Sequence, residues 1–342
     1  MEKQSYIQRL QDAAHGGTTD RPPCICPGGM MNMIVDEAME AANSFWPEAH
    51  CDPQKMAALA KVMRQNGGFE NYGVPFCMTV EAEAMGAVVD LGGAHVEPHV
   101  TYSPLHSSGE ADRLTSMDLT QGRPHCVLEA IRMLKQENDG VPTIGNVTGP
   151  VSVAGTLVDM TALLKEMRKS PETFVHLLER ITHELIRYAR AQIEAGADVL
   201  CISEPSGTGE ILGARHFQTY ALPYINQILD AVEVPVKIVH ICGRLHSIYG
   251  LLDQIHCDVF SFDAMVQPEE IRPYLGNKAV MGNISTHALG TMQPEWVAAL
   301  TKTALKNGVD IVSPACGLPV TAPFQNIQAM VQTVQTYKRT GS

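Results

Sequence analysis

The sequence of 342 residues lacks the features that mark membrane proteins and nucleic-acid-binding proteins. No stretch of about 18 consecutive apolar residues occurs, so no transmembrane helix is expected. The N-terminal segment carries charges throughout and lacks the apolar core of a signal peptide. Lysine and arginine number 25 against 37 acidic residues, the formal net charge is −12, and no basic run is present. We therefore predict a cytoplasmic protein that binds neither nucleic acid nor an anionic membrane.

Other absences constrain the domain organisation and the cofactors. No glycine-rich dinucleotide fingerprint follows a predicted strand, no P-loop is present, and no linker or low-complexity segment interrupts the chain. The nine cysteines are scattered and odd in number, which does not fit a disulfide framework. With 45% hydrophobic and 18% charged residues, the composition is that of an ordinary globular protein. We predict a single domain over residues 1–342.

Hydrophobic periodicity and residues typical of helix ends predict the elements up to residue 195. The best-defined element is a helix over 171–195, which Ser170 caps, Pro171 opens and Gly196 ends. The other predicted helices cover 3–14, 33–44, 52–65 and 125–137. Strands are predicted at 72–80 and 143–148, with a β excursion at 87–104 and a loop at 107–121.

After residue 195, short buried strands alternate with helices, a pattern that is typical of parallel βα units. The predicted strands are 198–203, 236–241, 258–262, 279–283 and 309–313. The predicted helices are 215–231, 244–254, 268–273, 294–306 and 323–338. About seven parallel strands therefore occur, with one more expected within 24–34 or 87–104. This number favours an α/β fold of the (β/α)8 TIM-barrel type, with an N-terminal helical extension, over an open doubly wound sheet.

Three residues with the side chains that zinc prefers follow or end predicted strands. His240 and Cys242 are two residues apart, so they face the same side of one strand, and Cys316 follows another strand. Imidazole nitrogen and thiolate sulfur are typical zinc ligands, and three protein ligands leave a fourth position for substrate. In a barrel the C-terminal strand ends meet at one rim. We therefore predict that His240, Cys242 and Cys316 form a metal site.

Further polar residues end strands at the same rim. Glu204, Asp263 and Asn283 follow or end strands of the second half, and Glu81 with Glu83 follows an earlier one. We interpret the first three as supports of the metal ligands or contacts to a substrate, with ordinary loop structure as the alternative. Glu81 is a further candidate for contact with a substrate, and Glu81 and Glu83 are candidates for a temporary fourth ligand or for orienting a ring nitrogen.

Two other features of the sequence are less specific. Cys24 and Cys26 form a Cys-x-Cys pair, but no second pair lies nearby, so buried core is the preferred interpretation. His246 and His256 lie close to the predicted metal ligands along the chain, but we expect them to be structural.

The sequence resembles the uroporphyrinogen decarboxylase superfamily and, within it, the methylcobamide:coenzyme M methyltransferases. The resemblance covers the chain from about Arg21 to about Met330. The segments that carry it are 74–86, 204–212, 239–243, 282–285 and 313–317. It implies a TIM-type barrel with a His-x-Cys…Cys zinc site, which His240, Cys242 and Cys316 match residue by residue.

The resemblance also implies an activity. It implies methyl transfer from a methylated corrinoid (a methylcobamide), carried on a partner protein, to a thiol such as coenzyme M by way of a zinc-bound thiolate. Tetrahydrofolate or another thiol is the alternative acceptor. A zinc hydrolase is a less favoured interpretation, as is a non-catalytic corrinoid-binding or zinc-storage protein.

Differences from the decarboxylases argue against decarboxylation. Those enzymes carry an arginine-rich loop for substrate carboxylates where this chain has residues 26–31, Cys-Pro-Gly-Gly-Met-Met. By hand alignment, their essential aspartate falls on Cys77, their active-site tyrosine on Thr156 and a late histidine on Cys316. A substrate with eight carboxylates would find little positive charge here.

Overall fold

The computed structural model describes residues 3–338, and a parallel β-sheet forms their centre. The strands are β1 Tyr72–Val74, β2 Val88–Asp90, β3 His99–Tyr102, β4 Thr143–Thr148, β5 Val199–Ser203, β6 Val236–Ile241, β7 Val259–Phe262, β8 Ala279–Ile284 and β9 Ile311–Pro314. Seven of them pair in the order β1-β4-β5-β6-β7-β8-β9, and every pair is parallel. Strands β2 and β3 form a separate antiparallel hairpin.

Helices connect the strands and pack around the sheet. The α-helices are α1 Tyr6–Ala14, α2 Asp36–Ala42, α3 Pro53–Gln65, α4 Val80–Ala84, α5 Gly122–Gln136, α6 Pro150–Leu157, α7 Met160–Lys169, α8 Pro171–Ala195, α9 Gly213–His216, α10 Leu222–Asp230, α11 Pro268–Ile271, α12 Thr286–Thr291, α13 Pro294–Lys306 and α14 Phe324–Thr336. Short 3-10 helices cover Glu48–His50, Ser108–Arg113, Pro205–Gly207, His246–Gln254 and Arg272–Tyr274, and a π-helix covers Phe217–Ala221. No helix among the described residues is long and apolar enough to cross a membrane.

The segment 23–26 lies between β9 and the start of β1 and completes the barrel. Val312 of β9 donates its amide to the Pro23 carbonyl at 2.9 Å and accepts the Ile25 amide at 3.0 Å. On the other side, the Glu70 amide donates to the Cys24 carbonyl at 2.9 Å. The predicted (β/α)8 TIM-type fold is therefore confirmed, and the eighth strand position falls within 24–34 rather than 87–104.

An asparagine side chain explains why this eighth position has so little regular pairing. The side-chain oxygen of Asn71 accepts a hydrogen bond from the backbone amide of Cys26 at 2.9 Å, and the side-chain nitrogen of Asn71 donates to the Cys26 carbonyl at 2.8 Å. A side chain therefore satisfies both backbone groups of Cys26 that a neighbouring strand would otherwise bond. Cys24 and Cys26 are both fully buried, as the core interpretation expected.

Several predicted boundaries were wrong. The strand predicted at 72–80 ends at Val74, since Pro75 has no amide to continue the ladder and the helix α4 begins at Val80. Ser170 precedes α8 but makes no side-chain capping bond. The predicted helix 215–231 is divided by the π-helix Phe217–Ala221, which precedes Pro223 of α10.

Candidate metal centre

The C-terminal ends of β6 and β9 bring the three predicted metal ligands together. His240 is the second-last residue of β6, Cys242 follows that strand, and Cys316 follows β9. One ring nitrogen of His240 and the sulfurs of Cys242 and Cys316 all lie within 4.8 Å of one another. No carboxylate of residues 3–338 joins this group, so Glu81 and Glu83 are not part of it. The three side chains are called the ligand cluster below.

The His240 ring is fully buried, and its two nitrogens differ in their environment. Nδ1 lies 2.9 Å from the hydroxyl oxygen of Ser261 on β7, whereas Nε2 makes no hydrogen bond to any residue of 3–338. A buried polar atom without a hydrogen bond needs an explanation, and here a metal ion bound between the imidazole and the two sulfurs would supply one. Ser261, not a glutamate, therefore contacts the ring nitrogen that Glu81 or Glu83 was predicted to orient.

The two cysteines of the cluster are half-buried and influence each other. Hydrogen bonding from the Cys242 thiol lowers the pKa of Cys316, and the same pairing raises the pKa of Cys242. One of the two sulfurs is thus favoured as a thiolate, the form that binds metals. One imidazole nitrogen without a partner and two neighbouring sulfurs are a donor set that fits zinc.

Asp263 and Asn283 support the loops beside the cluster through hydrogen bonds. The Asp263 carboxylate accepts the amide of Gly243, the residue after Cys242, at 3.2 Å and the amide of Met265 at 3.0 Å. The Asn283 side chain donates to the carbonyls of Asp263 at 3.2 Å and Val266 at 2.7 Å. These contacts fit the predicted supporting role, and contact of either residue with a substrate stays a prediction.

Glu81 and Glu83 make their contacts away from the ligand cluster. Glu81 is buried and accepts the amide of Thr148 at 2.7 Å and its hydroxyl at 3.1 Å. Burial raises the pKa of Glu81, against the lowering effect of these bonds. Glu83 forms an ion pair of 3.1 Å with Arg123, which is buried and also donates to the sulfur of Cys77 at 2.7 Å.

Glu204 bonds the first turn of α6. Its carboxylate accepts the amides of Val151 at 2.9 Å and Ser152 at 2.8 Å, and the Ser152 hydroxyl also donates to it. The side chain is fully buried, and burial raises its pKa to about 7. Negative charge at a helix N-terminus is stabilising. The observed contacts are therefore those of a helix-capping residue, and its predicted contact with a substrate stays a prediction.

Replacing Glu204 separates these two roles. We expect Glu204→Gln to lower the free energy of unfolding by about 1–3 kcal/mol, because the amide group places donors opposite donors in a buried site. Chemical denaturation at pH 8 measures this change, with zinc content as the control that the ligand cluster is intact. Unchanged stability together with a raised KM for the methyl acceptor would instead support contact with the substrate.

The β2–β3 hairpin lies in the connection that follows β1 and α4. Near its tip, His95 contacts Asp36 of α2 at 3.1 Å. The Glu97 side chain is accessible to solvent, yet its protein surroundings desolvate the carboxylate, and this desolvation and the nearby Cys316 raise the pKa of Glu97 to about 7. An acidic side chain of the hairpin therefore lies close to the ligand cluster.

Sequence reasoning missed Ser261 and Glu97. Serine has no metal-ligand signature, but Ser261 lies two residues before Asp263, and this spacing on the strand after β6 was an available signal. Glu97 was assigned only to a β excursion, and its proximity to Cys316 depends on the path of the hairpin. Neither position belongs to a recognisable local motif.

Comparison with known proteins agrees with this geometry. Residues 5–337 match the family model described as Uroporphyrinogen decarboxylase (URO-D). The chain is 33% identical over 337 residues to methylcobamide:CoM methyltransferase MtbA of Methanosarcina acetivorans, covering 97% of this chain and 98% of that protein. It is 31% identical to methylcobamide:CoM methyltransferase MtaA of Methanosarcina barkeri, covering 96% and 97% of the two chains.

A solved structure shares the whole fold. The structure described as a methyltransferase from Methanosarcina mazei superposes with a TM-score of 0.90 at 28% identity, covering 98% of this chain and 99% of that one. The similarity therefore includes the helices and loops around the barrel as well as the strands.

Proposed function

This chain belongs to the uroporphyrinogen decarboxylase (URO-D) family, and on that premise we propose that it is a zinc-dependent methyltransferase. The proposed reaction moves a methyl group from a methylated corrinoid to a thiol such as coenzyme M. Two named relatives, MtbA and MtaA, are methylcobamide:CoM methyltransferases that align with nearly the full length of this chain. Their names support the choice of methyl donor and acceptor.

The observation that carries the proposal is the ligand cluster itself. Its three donor atoms lie within 4.8 Å of one another, and the buried Nε2 atom of His240 makes no hydrogen bond within the described part of the chain. A zinc ion held there would offer a fourth position to an acceptor thiol and favour its thiolate, the nucleophilic form. Cys242 and Cys316 would leave electron density on the incoming sulfur, because both are strongly donating ligands.

The other reactions considered for this barrel fit the site less well. A hydrolase depends on a strongly Lewis-acidic metal to activate water, and two thiolate ligands weaken that acidity. A decarboxylase of this family would need cations for its substrate carboxylates, but the loop 26–31 contains no arginine. Cys77, aligned with the essential aspartate of the decarboxylases, accepts a hydrogen bond from buried Arg123.

A partner protein that carries the corrinoid is part of the proposal. The methyl-bearing metal must approach a sulfur at the ligand cluster, so its carrier must cover the mouth of the barrel. The connections that follow β1, β5, β7 and β8 carry exposed apolar side chains, on which we expect the carrier to dock. These side chains are Val88, Val96, Tyr102, Ile211, Met265 and Met292.

A comparison of acceptors tests the proposed function. Zinc-loaded protein is mixed with methylcobalamin, and the loss of its absorbance is followed after addition of coenzyme M, another thiol or tetrahydrofolate. We expect demethylation that depends on a thiol and is fastest with coenzyme M. Transfer to tetrahydrofolate and to neither thiol would identify tetrahydrofolate as the acceptor. No transfer to any acceptor would contradict the proposed function.

A further inference from the structure

The bond between Ser261 and His240 crosses from one buried strand to the next. His240 of β6 and Ser261 of β7 are register partners in the parallel sheet. Their side chains are both fully buried, and the Ser261 hydroxyl oxygen lies 2.9 Å from Nδ1 of the ring. Solvent cannot replace the hydroxyl at this depth, so the ring depends on Ser261 for its Nδ1 partner.

The chemistry of imidazole gives this contact a consequence for metal binding. A neutral ring has one N–H and one nitrogen with a free lone pair, and the position of the proton decides which nitrogen can bind a metal. The Ser261 hydroxyl can accept a hydrogen bond from Nδ1–H, and in that tautomer the free lone pair belongs to Nε2. Among residues 3–338, Nε2 is the ring nitrogen that makes no hydrogen bond.

We propose that Ser261 is a positioning residue that fixes the ring orientation and the tautomer of His240 for metal binding, an inference that rests on the proposed function. The same end of β7 also holds the neighbouring ligand, because Asp263 accepts the amide that follows Cys242. The end of β7, which holds no member of the ligand cluster, thus contacts His240 and the residue that follows Cys242. Outer partners of metal-binding histidines contribute about 10–100-fold to metal affinity.

The other neighbour of His240 supplies a matched control. Ser203 of β5 is the register partner of His240 on the opposite side and is also buried. Its hydroxyl makes no hydrogen bond to the ring. Ser203, like Ser261, is paired with His240 on a neighbouring strand. Ser203→Ala therefore removes a buried hydroxyl next to His240 without removing a contact with the ring.

Zinc affinity tests the proposal without relying on methyl transfer. Competition with a chromophoric chelator gives the affinity of each folded variant, and the absorption spectrum of the cobalt-substituted protein reports the ligand geometry. We expect Ser261→Ala and Ser261→Val to bind zinc about 10–100-fold more weakly, and Ser261→Thr to restore affinity to within a few-fold. Threonine and valine have nearly the same shape, so their difference isolates the hydroxyl even if the alanine variant folds poorly. Ser203→Ala should match the wild type.

The outcomes separate this inference from the proposed function. Equal zinc affinity and equal cobalt spectra for Ser261→Thr and Ser261→Val would overturn the positioning role, whatever the methyltransferase activity. An equal loss of affinity in Ser203→Ala would overturn it as well, because the effect would then be one of general packing. Weaker zinc binding in Ser261→Val, with no methyl transfer by the wild type, would support the positioning role and reject the function.

Discussion

Replacing Cys316 with alanine is expected to lower zinc affinity by at least about 100-fold and to abolish methyl transfer. Removal of an outer partner of a metal ligand already costs about 10–100-fold, and Cys316 is one of only three protein ligands in the proposed site. It is also the ligand that β9 contributes, so its loss leaves β6 alone with His240 and Cys242. Two ligands cannot hold the ion in a closed geometry.

Zinc content after dialysis and the rate of methylcobalamin demethylation measure this effect. Cys51→Ala is the matched control, because Cys51 is an exposed cysteine outside the ligand cluster and should behave as the wild type. Retention of both zinc and methyl transfer in Cys316→Ala would contradict the proposed site. Loss of both in Cys51→Ala as well would point to general damage from the substitution of cysteine.

The second large effect is expected at the closure of the barrel. A side chain at Gly73 of β1 would place its Cβ 2.2 Å from the carbonyl oxygen of Pro27 and 3.1 Å from the amide nitrogen of Gly28. Both contacts are backbone, so residues 27–28, which directly follow the segment 23–26, would have to move. We expect Gly73→Ala to lower the free energy of unfolding by about 3 kcal/mol, at the upper end of typical overpacking costs.

Movement of residues 27–28 should also reach the metal site. Gly317, the residue after Cys316, packs so closely on the chain that follows residues 27–28 that a Cβ there would lie 2.8 Å from the Met30 carbonyl oxygen. Chemical denaturation and zinc affinity of Gly73→Ala measure the two effects. Gly250→Ala is the control, because no atom of the described residues outside its chain neighbours and its own helix lies within 4 Å of its added Cβ. Wild-type stability in Gly73→Ala would show that the close approach does not constrain the barrel.

Local signals predicted those elements whose ends are set by local chemistry. The helix 171–195 was predicted at its observed bounds, since Pro171 starts it and Gly196 adopts the left-handed conformation that ends it. Strand 143–148 and helix 294–306 also match. The elements α6 and α7 were not predicted, and α6 is held in part by the distant residue Glu204.

The eighth strand position could not be assigned from the sequence for a related reason. Its pairing depends on the Asn71 side chain and on Val312, which lies 286 residues after Cys26 in the chain. No local periodicity records such contacts. The sequence nevertheless limited the choice to two segments, one of which contains residues 24–26.

The residues of the candidate site likewise include some that local signals predict and one whose role depends on distant contacts. His240, Cys242 and Cys316 are predictable because their side chains are typical zinc ligands and because the barrel places strand ends together. The structure brings all three into one cluster. Ser261 acts through another side chain, so its role depends on the register between β6 and β7, which the sequence does not reveal. Zinc binding and the acceptor remain predictions that experiments test.

Zinc titration of the metal-free protein tests the central claim most directly. Methylcobalamin demethylation in the presence of coenzyme M is followed as zinc is added. The three-ligand cluster predicts no activity without metal and a rate that rises until about one zinc ion is bound per chain. Full thiol-dependent activity in the metal-free protein with a chelator present would contradict the account.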